Sequence, residues 1–108
     1  MAKKVLGQSN PAATTATTLY TVPSAKQAVV STLVVANLAS TAATFRVAVR
    51  PAGASLANQH YIAYDVTVGA SDSTALTLGI TLATTDVVTV YASSANLVFN
   101  AFGDESAA

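Results

Sequence analysis

Leu76, Leu78, Ile80 and Leu82 recur at every second position, separated by Thr77, Gly79 and Thr81. On a helix these four side chains would spiral around all sides, whereas an extended chain gathers them on one face, so the spacing predicts a strand. The same period of two runs through β-branched and aromatic stretches elsewhere. Phe45, Val47 and Val49 alternate with Arg46, Ala48 and Arg50; farther on, His60, Ile62, Tyr64 and Val66 alternate with Tyr61, Ala63, Asp65 and Thr67. The stretch Val29 to Arg50 reads as two strands joined by a small polar turn. One face of its second strand suits a core, while the other carries two guanidinium groups roughly 13 Å apart at the usual strand rise.

Turn signals divide the rest of the chain. Lys3 to Ser9 is predicted as a short edge strand closed by Asn10-Pro11, and residues 12 to 18, AATTATT, as an extended arm or loop. Leu19 to Val22 is a brief strand stopped by Pro23. Val87 to Ala92 and Asn96 to Phe102 are the last two strands, and residues 104 to 108 form a flexible tail. About eight short strands with turn signals every roughly 8 to 12 residues predict an all-β fold, an antiparallel β-sandwich of jelly-roll-like type. The expected division is an N-terminal edge strand and arm over 1–18, a sandwich over 19–103 and the tail.

Composition supports the class and narrows the function. Val and Thr are abundant and Lys and Glu scarce, which is strand rather than helix usage. Only 9% of residues are charged and the formal net charge is zero, against about 25% charged in an ordinary domain. So neutral a surface offers little repulsion between copies and favours self-association or incorporation into a larger assembly. Five basic residues balanced by five acidic ones leave no basic stripe for phosphates, so nucleic acid is not an expected partner. No run reaches membrane-spanning length, and the start lacks the apolar core of a signal peptide, predicting a product made in the cytoplasm without a membrane partner.

Candidate chemistry is sparse. Cysteine is absent, which removes disulfides and thiolate metal sites. His60 is the single histidine, with no nucleophile or orienting carboxylate at a useful spacing, and reads as a partly buried or interface side chain. Asp65, Asp72 and Asp86 have no metal-ligand spacing, and single glycines make no phosphate loop. No catalytic residue, metal or cofactor is expected. Tyr20, Tyr61, Tyr64 and Tyr91 leave open an aromatic platform for glycans. Arg46 and Arg50 are the most distinctive pair, because arginine is the cation most enriched at interfaces. Together with His60, Tyr61, Tyr64 and Asp65 they make the predicted contact surface, with Asp65 or a carboxylate of another protein as the partner of the arginines.

Phe45-Arg46-Val47-Ala48-Val49-Arg50-Pro51, Tyr61-Ile62-Ala63-Tyr64-Asp65 and Asp86-Val87-Val88-Thr89-Val90-Tyr91-Ala92 carry a resemblance that extends from about Leu19 to Gly103. The chain resembles small virion structural proteins of tailed bacteriophages, namely capsid cement or decoration proteins, or small tail and fibre components. That resemblance implies a homo-oligomer, with a trimer favoured, that contacts the major capsid protein or other virion proteins at the capsid surface. The alternative it carries is a tail or fibre binding module, with host-surface glycans as a candidate ligand. It implies no catalytic residues. Such proteins often have a glycine after the proline turn, where this chain has Ala25.

Overall fold

Nine strands make up most of the computed structural model, which describes residues 2–108. They are β1 (Ala2–Ser9), β2 (Thr17–Thr21), β3 (Lys26–Asn37), β4 (Ala43–Arg50), β5 (Tyr61–Val68), β6 (Ser73–Leu76), β7 (Ile80–Leu82), β8 (Val87–Ala92) and β9 (Leu97–Ala107). One antiparallel sheet has the order β1-β9-β3-β6, with β7 also paired to β3, and the other has the order β2-β8-β4-β5. Because β6 and β7 pair with successive parts of β3, they are two halves of one broken strand. The connectivity is then that of an eight-stranded jelly roll, the sandwich that the alternation predicts.

The core lies between the sheets. Phe45 on β4 meets Phe99 on β9 edge to face at 6.0 Å, and both rings are fully buried. Leu33, Val35 and Leu97 from one sheet and Val47, Val88 and Val90 from the other fill the same layer. Alternation places them there, since each strand gives its even or odd set to the interior.

Four expectations are corrected. Val29 to Arg50 is not a hairpin: β3 and β4 lie in different sheets, and residues 38–42 arch between them. Both strands carry an apolar face, and the two faces pack against each other across the core instead of lying side by side. The Leu76 to Leu82 run is not one strand. Residues 77–79 leave the ladder, Gly79 adopts φ +62°, and Leu78 is exposed while Leu76, Ile80 and Leu82 pack on the core. Residues 104–107 are not a tail but the end of β9: all four pair with β3, and Asp104 and Glu105 pair with β1 as well. Low hydrophobicity hid this pairing, since the backbone ladder needs no apolar side chain.

The fourth correction concerns the arm and the division of the chain. Thr17 and Thr18 belong to β2, Pro11 is buried, and the Thr14 N–H donates to the Ala92 carbonyl at 2.8 Å. The segment therefore crosses from one sheet to the other against its own chain. β1 is an edge strand as predicted, but of the sandwich itself. Met1, part of the predicted 1–18 segment, lies outside the described residues.

At this edge Glu105 fastens three strands. Its carboxylate accepts the Lys4 ammonium at 2.8 Å and the Tyr20 hydroxyl at 2.6 Å, so β9 is tied to β1 and, across the sandwich, to β2. The hydrogen bonds from Lys4 and Tyr20 hold the Glu105 carboxyl below the ordinary glutamate range, against partial desolvation. Burial, then the Glu105 hydrogen bond, pushes the Tyr20 hydroxyl well above its ordinary value. In acid the unfolded chain therefore takes up the Glu105 proton before the folded one does. The clasp's contribution is complete above the ordinary glutamate pKa and is lost as pH falls through the lower folded value. Melting temperature should drop on acidification, and Glu105→Gln should flatten part of that drop. An unchanged acid profile in the variant would remove the clasp from the account.

Candidate functional site

The outward face of the β2-β8-β4-β5 sheet holds the densest group of the predicted site residues. Phe45 and Val47 of β4 point inward, so Arg46 between them points out. Tyr91 of β8 is its direct cross-strand partner and shares that face. On the other side the register of β5 shifts: Phe45 pairs with Val66 and Val47 with Ala63, so Tyr64 and Asp65 together oppose Arg46. Asp65 sits at φ +50°, as a bulge residue does.

The bulge delivers two partners to one guanidinium. Asp65 Oδ1 accepts the Arg46 Nε–H at 2.7 Å, and Oδ2 lies 3.4 Å from Nη2. The guanidinium carbon sits 4.2 Å from the Tyr64 ring centre and 4.4 Å from that of Tyr91. Tyr64 in turn meets Tyr61 edge to face at 5.0 Å. The Asp65 hydrogen bond, with smaller help from the two tyrosines, raises the Arg46 pKa further and keeps the group cationic. Each contact is worth little to stability at an exposed site, where solvent screens the charge. Their combined effect is to hold Arg46 in one orientation. Tyr64 remains 57% exposed and Ile62 beside it 43%, so the cluster presents area to solvent.

The predicted residues divide. Arg46, Tyr61, Tyr64 and Asp65 come together, and Tyr91 joins them. The flat two-arginine surface does not exist. Arg50 donates from Nε to the Thr89 hydroxyl at 3.0 Å and from Nη1 to the Ala54 carbonyl at 3.0 Å, and Ala48 between the arginines is buried. With Asp86, which accepts the Ala52 and Ala83 N–H groups at 2.9 Å each, Arg50 fastens the 51–54 loop. His60 is also apart: it is buried, its Nδ1 accepts the Ala57 N–H at 3.0 Å, and its own N–H returns to the Ala57 carbonyl. The predicted face of His60, Ile62, Tyr64 and Val66 is split, because Ala63, Val66 and Val68 face the core while Ile62 and Tyr64 face out.

Tyr91 is the member that sequence reasoning left among scattered tyrosines. Its signal was its parity in the Val87 to Ala92 strand, but the pairing with Arg46 depends on which strands neighbour each other. Chemically the cluster offers aromatic faces, a fixed cation and a carboxylate already engaged with it. It has the composition of an interface hot spot, in which Tyr and Arg predominate. Comparison with family models, with curated proteins and with solved structures finds no match for this chain.

Proposed function

We propose that this chain is a non-enzymatic structural protein of a tailed-bacteriophage virion, a capsid cement or decoration protein that binds the outer shell as an oligomer and stabilises it. The observation that carries the reading is the preoriented Tyr61–Tyr64–Arg46–Tyr91 cluster on an open sheet face of a chain with only 9% charged residues. Such a face suits contact with protein, and fixing Arg46 in advance lowers the entropy lost on docking. The resemblance over Leu19 to Gly103 supports the virion assignment, and jelly rolls recur in viral capsid and lectin domains, a likeness of fold alone. Binding the assembled shell, and not its separated subunits, shifts the equilibrium toward the intact particle.

Purified virions should contain the chain at a copy number proportional to the major shell protein, measured on a stained gel. Tyr64→Ala should weaken attachment by about tenfold or more, the size of a hot-spot loss, with the fold intact by circular dichroism. Absence from purified particles would overturn the reading. A second reading is favoured by the same three clustered tyrosines: a tail or fibre module that stacks host-surface sugars on Tyr64. A few copies per particle at the tail, with glycan binding lost in Tyr64→Ala, would establish it instead.

A further inference from the structure

The outward face of the other sheet carries a different pattern. Along β1 and β9 the side chains that point away from the core form three successive cross-strand rungs: Lys3 opposite Asp104, Val5 opposite Phe102 and Gln8 opposite Asn100. The first joins opposite charges, the second is apolar and exposed on both sides, and the third joins two amides at 2.7 Å. Every rung is thus made of two groups that suit each other, a property that bears on how the face meets a copy of itself.

Asp104 makes the pattern informative. Its Oδ1 is shielded from solvent and has no hydrogen-bond donor among the described residues. Lys3, its neighbour across the ladder, makes no ion pair with it; the described ion pairs are Lys4–Glu105 and Arg46–Asp65. The Asp104 carboxylate thus enters no ion pair among the described residues, and an ammonium from outside the chain can supply one. Val5, Phe102 and Val29 around it keep apolar area open to water. A cation on an apolar stem fits both features.

We infer that this face binds a second copy of the chain through a two-fold contact over β1 and β9. An axis lying in the interface, parallel to the strands and between β1 and β9, exchanges the two sides of every rung. Lys3 then lies over the partner's Asp104 and Asp104 over the partner's Lys3. Val5 covers the partner's Phe102, and Gln8 meets the partner's Asn100. One operation pairs charge with countercharge, apolar with apolar and amide with amide, and brings an ammonium to a carboxylate that has no ion pair of its own. Sheets stacked face to face accept this spacing. A different protein would have to supply all three matches independently. The inference rests on the reading that the chain self-associates and leaves the virion assignment free to stand or fall separately.

Sedimentation equilibrium of the intact chain tests it. The native chain should contain dimers, while Lys3→Asp and Asp104→Lys should each be shifted strongly toward monomer with unchanged circular dichroism. An equimolar mixture of the two variants should regain the dimer, because an acidic face then meets a basic one. A native chain that is monomeric throughout, an assembly indifferent to both substitutions, or a mixture that stays monomeric would each overturn the proposal. None of these results alters the virion copy number, so the two proposals fail separately.

Discussion

Asn37→Leu should lower the stability of the fold by about 3 kcal/mol, since a buried polar group that loses its partner costs roughly 1–3 kcal/mol. Asn37 ends β3 and is 3% exposed. Its Nδ2 donates to the Thr41 carbonyl at 2.8 Å and is shared with those of Gly69 and Val68 at 3.2 and 3.3 Å, while its Oδ1 accepts the Ala39 N–H at 3.0 Å. One side chain therefore fixes the 38–42 arch and fastens it to the end of β5 in the opposite sheet. Leucine has the same branched shape, with more bulk, and leaves these groups unpaired. Against a total of about 5–15 kcal/mol for a domain, the loss is large. Urea unfolding should show a lower midpoint with an unchanged slope, and a shift worth under about 1 kcal/mol would remove Asn37 from this role.

The role of Asn37 shows where sequence patterning stops. Period-two alternation at Phe45 to Arg50 located a strand that the structure contains, because a strand with one face in the core alternates. The same alternation says nothing about which strand is the neighbour. Val29 to Arg50 looked like a hairpin because a short polar turn joins two strands; an arch between sheets has the same local pattern. What distinguishes them is a buried asparagine that satisfies carbonyls from two segments distant in sequence.

The candidate site was legible in the same partial way. Arg46 and Asp65 were recognisable as a possible pair, and Arg46 does bind Asp65 within the chain. Two things could not be read. The bulge at Tyr64-Asp65 reverses the parity of β5, so a strict period of two assigned Tyr64 and Asp65 to opposite faces. Tyr91 becomes a partner only through the pairing of β8 with β4, which is a long-range fact. Arg50 failed for a third reason: its guanidinium reaches back to Ala54 and across to Thr89, and exposure cannot be inferred from alternation when a loop folds over the side chain.

Gly103→Ala should be the most disruptive single-methyl change, costing about 3 kcal/mol or more, at the upper end for forcing atoms into a packed region. Gly103 faces inward on β9 beside the irregular step in β3 between Val30 and Thr32. A Cβ placed there overlaps the carbonyl oxygen of Val29, and its other near neighbours are also backbone atoms of Val29 and Val30. No side chain can turn aside to make room, so β9 must separate from β3. Glu105, two residues on, then leaves Lys4 and Tyr20, and the acid sensitivity attributed to the clasp should weaken in the same variant. Gly79→Ala is the control: no atom lies within 4 Å of its Cβ, and only its φ of +62° opposes alanine, at a cost of about 1 kcal/mol. A last strand that ended at Phe102, as the sequence pattern predicts, would tolerate alanine at 103 without loss. Thermal melting of the two variants therefore separates a paired β9 from the tail that composition suggested, and equal melting temperatures would favour the tail.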